Sequence, residues 1–386
     1  MPGQPAGGFC GELPIMIAAT AVMILFAGEN LDKWITLSGR WEVREGVMTC
    51  VAAPSMIRSG YESDEFILHF QYRRASGGDN RLAIHSKLTT GGTLLRLTSS
   101  GVFPVASSLA SGPTYADDTW IDAVMEVVRG QMWITCRAAD ERDSPGKAGD
   151  PIAVSIPADS RGFLRFEAGK PGLEIRNVRV EEPGFRNLFD NGTLAGWEIV
   201  RPGNPESPGW SNENGVVRCR GRGSGWLRTL ETHDNFVLRL EYQLPVSGNS
   251  GIYLRAPLEG RVSRIGLEVQ LLDDAAFRGR FKPAQFAGSV YDAIAPEIQV
   301  PAPANQWNAI EVLLDGRRVR TILNGTRLYD ARLDDASKDV NSDKRPLSTR
   351  RLTGFIGLQE HSTAVEFRHV RLKELAGQLN RNSLSK

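Results

Sequence analysis

Three short segments in the second half of the chain alternate so that reactive side chains collect on one side. In Asn249-Ser250-Gly251-Ile252-Tyr253-Leu254-Arg255, Ile252 and Leu254 suit a core while Tyr253 and Arg255 face away. Leu267-Glu268-Val269-Gln270-Leu271 turns its three apolar residues inward and Glu268 and Gln270 outward. Phe355-Ile356-Gly357-Leu358-Gln359-Glu360-His361 sends Ile356 and Leu358 in, and Gln359 and His361 out. Successive side chains point to opposite faces of a strand, so three such strands in one sheet would pool Tyr, Arg, Glu, Gln, Gln and His. Glu268 and His361 can transfer protons, the amides and the guanidinium can grip hydroxyls, and Tyr253 offers a ring to a pyranose. The competing reading of each residue is an ordinary solvated position on a sheet exterior.

The elements that would carry this face occur twice. Phe26, Trp34, Trp41, Glu45-Gly46-Val47, Cys50, Phe66, Tyr72, Trp120 and Gly162-Phe163 recur in order as Phe189, Trp197, Trp210, Asn214-Gly215-Val216, Cys219, Phe236, Tyr242, Trp307 and Gly354-Phe355. The period is too long for a solenoid, and it reads as a tandem duplication. Only the second copy keeps the polar set. Arg255 corresponds to His85, Gly251 to Arg81, Glu268-Val269-Gln270 to Leu94-Leu95-Arg96, Gln359 to Glu167 and His361 to Gly169. The first copy is therefore expected to be a non-catalytic sandwich, serving as a partner surface or a weak sugar-binding module.

Runs such as Phe236-Val237-Leu238-Arg239-Leu240-Glu241-Tyr242 and Ala309-Ile310-Glu311-Val312-Leu313-Leu314 have period two, the mark of strands with one buried face. Asp315-Gly316 and Asn324-Gly325 suit hairpin turns, and no stretch has helical periodicity. Short strands with frequent Gly and Pro predict an all-β chain of two tandem antiparallel sandwiches, with a jelly roll the favoured topology. The expected division is an apolar N-terminal segment over 1–22, a degenerate repeat over 23–182, the polar-faced repeat over 186–375 and a frayed tail over 376–386. Long loops are expected at 137–151, 201–209 and 273–305, the last a candidate lid.

A chain of 386 residues allows about two or three domains, which fits two copies of one fold. A formal net charge of +1 removes the electrostatic case for nucleic acid or an anionic membrane surface. Four cysteines without CxxC or Cys/His spacing suggest small buried thiols rather than a zinc site or disulfide framework. The apolar run over 13–28 has signal-peptide length and is short for a membrane span, but no Lys or Arg precedes it. Export to the periplasm or medium and a cytoplasmic location stay open as equal alternatives.

The second half resembles the 3-keto-disaccharide hydrolase family, also described as 3-keto-glucoside 1,2-lyase/3-keto-2-hydroxy-glucal hydratase domains. The residues carrying the resemblance run from Asn187-Leu188-Phe189-Asp190 through Gly225-Trp226-Leu227 and Gly248-Asn249-Ser250-Gly251-Ile252-Tyr253. They continue through Leu267-Glu268-Val269-Gln270, Gly288-Ser289-Val290-Tyr291 and Gln306-Trp307-Asn308 to Gly354-Phe355-Ile356-Gly357-Leu358-Gln359-Glu360-His361. The resemblance implies a concanavalin-like jelly roll and a small carbohydrate substrate, a 3-oxidised glucoside or disaccharide. It implies removal of the C2 proton, elimination of the anomeric group and addition of water, a net hydrolysis. Glu268 is then the candidate base, His361 the acid or second base and Arg255 the enolate stabiliser. Asn249, Tyr253, Gln270, Lys282, Gln359, Ser289 and Tyr291 would position the sugar. The residues do not decide whether a cofactor takes part; Asp273 with Glu268 and His361 could hold a divalent cation that would polarise the ketone. Phe286-Ala287 stands where similar members often have His-Thr, a departure that bears on catalysis. A retaining glycosidase ranks lower, since Glu268 and Asp273 differ by an odd number and lie about 17 Å apart along a strand. A lectin-like tandem binding module without chemistry is the alternative from another class.

Overall fold

The computed structural model describes residues 20–74, 77–87, 89–105, 114–116, 118–139, 151–157, 160–189, 192–200, 209–221, 223–335 and 346–375. The first half opens with β1 (Thr20–Phe26), β2 (Trp34–Arg44), β3 (Val47–Ser63), β4 (Phe66–Arg73), β5 (Asn80–Ser86) and β6 (Thr93–Thr98). It continues with β7 (Gly101–Pro104), β8 (Ile121–Val128), β9 (Gln131–Ala138), β10 (Ile152–Ser155), β11 (Gly162–Ala168) and β12 (Glu174–Pro183). The second half begins with β13 (Arg186–Asn187), β14 (Trp197–Val200), β15 (Trp210–Glu213), β16 (Val216–Cys219), β17 (Ser224–His233), β18 (Phe236–Gln243) and β19 (Asn249–Ala256). After the short helix α1 (Val262–Ile265) come β20 (Leu267–Leu272), the helix α2 (Asp274–Phe277), β21 (Trp307–Asp315), β22 (Arg318–Leu323), β23 (Thr326–Arg332), β24 (Gly354–His361) and β25 (Val365–Glu374).

All pairings between these strands are antiparallel, as the hairpin signals predict. In the second half one sheet runs β15-β16-β25-β18-β21-β22-β23 and the facing sheet runs β14-β17-β24-β19-β20. The first half traces β10-β9-β8-β4-β12-β3-β11-β5-β6-β7. The two orders coincide when the single long strand β3 is set against β16 and β17 together. Because the 17 residues of β3 stay extended from one layer to the other, the first half forms one continuous sheet. In the second half the equivalent chain is interrupted near Gly221, whose φ of +63° breaks the extended backbone.

Each half has its own core. One gathers Met48, Phe66, Phe70, Tyr72 and Phe166, and the other Trp210, Phe236, Tyr242, Leu271 and Phe367. The repeated tryptophans lock equivalent corners: Trp34 Nε1 donates to the Leu25 carbonyl at 3.0 Å, and Trp197 Nε1 to the Leu188 carbonyl at 2.7 Å. Cys50 and Cys219 are buried free thiols. The hairpin at Asn324-Gly325 closes with positive φ at both residues, +49° and +78°, as a type I′ turn requires.

Three features depart from the sequence reading. The first strand begins at Thr20, pairing with Pro183, ahead of the expected boundary at 23, and Ala21 is buried. Residues 1–19 and 376–386 lie outside the described residues, as do 140–150 and 201–208 of two expected loops. Among the described residues no helix is long and apolar enough to cross a membrane. The segment 273–305 is not a lid held away from the sheet. It packs beside β20, with Gly288 N on the Gln270 carbonyl at 2.7 Å, Gln270 N on the Ser289 carbonyl at 3.0 Å and Tyr291 N on the Glu268 carbonyl at 2.8 Å.

The third departure is in β18, whose alternation predicts one wet face. All but its last residue are buried, because the polar side docks against the first half. Arg239 there binds Asp64 at 2.7 Å, Glu182 at 2.5 Å and Glu311 at 2.7 Å. Arg161 of the first half meets Glu311 at 2.6 Å and Glu62 at 3.2 Å, while Arg371 meets Glu182 at 2.6 Å. Burial alone would raise the Glu311 carboxyl, but Arg161 and Arg239 outweigh it and hold it at about 2.

Candidate active site

Strands β24, β19 and β20 are adjacent, in that order, so the three polar-faced segments do form one surface. Ile252, Leu254, Leu267, Val269, Leu271, Ile356 and Leu358 are fully buried on the core side. Register fixes the opposite face. Gly251 lies across from Gln270 and Tyr253 across from Glu268, while Tyr253 also pairs with Gly357. On that face Gln359 Nε2 donates to Glu268 Oε1 at 2.9 Å and to the Tyr253 hydroxyl at 2.6 Å. Gln270 Nε2 donates to Asn249 Oδ1 at 2.9 Å.

Gly251 makes this closeness possible. A Cβ there would stand 2.8 Å from Glu268 Oε1 and 3.3 Å from Gln359 Oε1, so only a residue without a side chain leaves the carboxylate and the amide in place. Gly357 performs the same service for Trp226, whose ring would be 2.2 Å from an added Cβ. Trp226 lies edge-on to Tyr253, with ring centroids 5.6 Å apart, and forms an aromatic wall beside the polar groups.

Glu268 is 6% exposed. Burial drives its carboxyl up to about 7, and the hydrogen bonds from Gln359 and Ser263 and the nearby Arg261 charge offset only part of that. A carboxyl poised there can accept a proton at neutral pH and return it, the requirement for a general base. Burial raises the Tyr253 phenol well beyond its usual value, so it stays a hydrogen-bond donor at any physiological pH. Ser289 is fully buried, and among the described residues neither its Oγ nor Gln359 Oε1 has a hydrogen-bond partner. Tyr291 follows on the same segment, with its hydroxyl 3.4 Å from Gln285 Nε2.

Four residues picked from the sequence are placed differently. Arg255 does not share the Glu268 face. Its φ of +49° ends the alternation, and its fully buried guanidinium donates to the Asp234 carbonyl at 2.9 and 2.6 Å and the Gly316 carbonyl at 2.7 Å. Asp273 accepts the backbone N–H of Ser247 at 2.8 Å, bracing the turn before β19. Among the described residues no group of three or more His, Cys, Asp or Glu side chains converges as metal ligands, so the cation set of Glu268, Asp273 and His361 is not assembled. His361 is exposed at the end of β24, two residues and about 7 Å beyond Gln359 on the same face. Lys282 is exposed on the segment after α2, where its backbone N–H meets Gln285 Oε1 at 3.0 Å.

Sequence reasoning missed Arg261 and Ser263, which sit at α1 between β19 and β20, and it gave Trp226 no role at the site. At the Phe286-Ala287 departure both residues are buried in the core, with Ala287 N held by Asp274 Oδ1 at 2.9 Å.

In the first half the matching surface is filled. Arg81 stands where Gly251 does, and it pairs with Arg96 and Glu167 across the sheet. Arg165, in the place of Gly357, binds Glu167 at 2.7 Å.

Residues 184–373 match the 3-keto-alpha-glucoside-1,2-lyase-like domain, a span that leaves the first half uncovered. A 3-keto-disaccharide hydrolase of Bacteroides thetaiotaomicron is 28% identical over 243 residues, 53% of this chain and 82% of its own. A candidate glycosyl hydrolase of known structure from Parabacteroides distasonis is 25% identical, covering 50% of this chain and 95% of its own, with a TM-score of 0.43. The carbohydrate-binding module CBM66 of Bacillus subtilis is 14% identical, covering 46% of this chain and 96% of its own, with a TM-score of 0.31. Through its polar-faced second half, the chain belongs to the 3-keto-alpha-glucoside-1,2-lyase-like domain family.

Proposed function

We propose that the second half cleaves 3-keto-glycosides by proton abstraction, elimination and hydration, and that Glu268 is the base. The observation that carries this reading is a single carboxyl, buried on the one polar face and held at about 7 beside Tyr253 and Gln359. A ketone at C3 acidifies the C2 hydrogen. Glu268 takes that proton, and the charge moves to the C3 oxygen, where the Tyr253 hydroxyl donates a hydrogen bond. The C1–O bond then breaks, and the departing oxygen takes a proton from His361 at the rim. Water adds at C1, giving its proton to His361, while Glu268 returns its own to C2. The net change is hydrolysis. Trp226 offers a flat apolar wall to the ring, and Asn249, Gln270, Ser289 and Tyr291 surround it with donors and acceptors. Lys282 lies farther out, within reach of an aglycone. Arg255 has no part, and the donor role assigned to it from sequence passes to Tyr253. In this reading the first half, with its face filled by Arg81, Arg96 and Arg165, carries no reaction.

The test is turnover of a 3-keto-glucoside against the parent glucoside, followed by the appearance of a 2-hydroxy-3-keto-glycal. Glu268→Gln is expected to lower kcat by about 10²- to 10⁴-fold, and wild-type kcat should rise with pH through about 7 as the base ionises. Tight binding of keto-glucosides with no bond cleavage by the wild type would replace this reading with a lectin-like one.

A further inference from the structure

Proton abstraction at the Glu268 face moves a negative charge. The Glu268 carboxylate becomes neutral as it takes the C2 proton. The C2–H electron pair forms the C2–C3 double bond, and the carbonyl pair moves onto the C3 oxygen beside the Tyr253 hydroxyl. A phenol can donate one hydrogen bond to that oxygen, but a full charge is better held by a cation within reach of both its starting and its final place. Arg255, the cation that strand alternation offers, is committed to the Asp234 and Gly316 carbonyls instead.

The connection between β19 and β20 supplies another. Tyr253 pairs with Glu268 and Leu254 with Leu267, so the chain leaves the sheet and re-enters it one residue beyond the two reacting groups. The helix α1 lies in this connection, and Arg261 is its N-cap, with the Arg261 carbonyl accepting Arg264 N at 3.0 Å and Ile265 N at 3.2 Å. Buried Arg350 ties the helix down, its Nη1 donating to the carbonyls of Ser263 at 2.8 Å and Gly266 at 3.1 Å. From this helix the buried Ser263 side chain hydrogen-bonds to Glu268. Arg261 stands two residues earlier and is exposed, and among the described residues no carboxylate lies within ion-pair distance of it.

Its charge is nevertheless felt across the site. Burial raises the Glu268 carboxyl and the Tyr253 and Tyr291 phenols, and the Arg261 charge works against all three rises. These groups stand on β20, on β19 and on the segment after α2, so one guanidinium is near all of them, at the end of the face where Tyr253 and Glu268 pair. The remaining neighbours of Glu268 cannot take this part: Gln359 of β24 is neutral, and Asp292 is an acid whose charge raises the carboxyl further.

We propose that Arg261 holds the negative charge of the reaction, first as the Glu268 carboxylate and then as the enolate oxygen at Tyr253. This role rests on the 3-keto-glycoside reading of the site. Arg261→Gln is expected to move the pH midpoint of kcat upward from the wild-type value. At pH 9, where Glu268 is ionised in both proteins, it should still lower kcat for a 3-keto-glucoside by about 10- to 10²-fold. Arg261→Lys keeps the charge and should recover most of that loss. Arg264→Gln removes an exposed charge from the same helix and should change neither quantity. All three variants should unfold at the wild-type midpoint, since both side chains are exposed. Carbon-13 NMR titration of the Glu268 carboxyl follows the same charge without substrate, and it should move upward in Arg261→Gln. A kcat at pH 9 equal to or above that of wild type would overturn the role, leaving Arg261 to adjust the base alone. So would a Glu268 titration that the substitution does not move, or an equal loss from Arg264→Gln. Absence of turnover by the wild type would instead strike the 3-keto-glycoside reading, and this role with it.

Discussion

Glu268 is a carboxyl whose usefulness conflicts with stability. In the unfolded chain it ionises near 4.5, and in the fold it keeps its proton to about 7. Between those values the unfolded state releases a proton that the folded state retains, so stability from this group falls as pH rises and stays low above 7. At about 1.4 kcal/mol per unit, the deficit at pH 8 is on the order of 3 kcal/mol. Glu268→Gln removes the titration and keeps an oxygen for the Gln359 amide. The variant is expected to be more stable than wild type at pH 8 by roughly 2–3 kcal/mol, and equal to it near pH 4. Urea unfolding at the two pH values measures both quantities. Identical midpoints at pH 8 would mean the carboxyl is better solvated than its 6% exposure implies.

At the scale of elements, one residue decides how far strand alternation can be trusted. Period two correctly placed Tyr253, Glu268, Gln270 and Gln359 on one face, because β19, β20 and β24 are regular over those residues. It failed at Arg255, where a left-handed backbone turns the side chain towards the β17–β18 and β21–β22 turns. No glycine or asparagine marks that reversal. Arg255 then acts as a brace whose guanidinium meets two carbonyls and Asn235 Oδ1. Lysine cannot span these acceptors with one ammonium. Arg255→Lys should cost about 2–3 kcal/mol of stability through unmet buried carbonyls and leave kcat/KM for a 3-keto-glucoside within about twofold. A large loss of kcat with unchanged unfolding would return Arg255 to the reaction. Trp226, Arg261 and Ser263 were illegible for a different reason. They reach the site through strand pairing and a four-residue helix, contacts that local periodicity does not encode.

At the scale of the whole molecule, the two sandwiches are joined by charge rather than by a large apolar seam. Among the described residues, the apolar cluster between them has just Ala21, Phe185 and Val237 as its buried members. Beside it, Arg161, Arg239, Arg320 and Arg371 meet Glu62, Asp64, Glu182 and Glu311, four cations against four anions. The alternation in β18 and β21 hid this interface, since Arg239 and Glu311 read as solvated positions until a second sandwich covers them. Arg239 touches three of the four carboxylates and is 4% exposed. Replacing it with methionine keeps the stem packed on Phe185, whose ring lies 4.4 Å below the guanidinium carbon, but leaves Asp64, Glu182 and Glu311 each one partner short. Removing one member of a buried ion network costs about 3–5 kcal/mol. Because that loss falls on the contact between halves and not on either core, Arg239→Met should separate a single urea transition into two, with the first half and the second half melting independently. Tryptophan fluorescence and far-ultraviolet circular dichroism would then disagree on the midpoint. Coincident transitions at the wild-type midpoint would show that the halves are held together by something other than these ions.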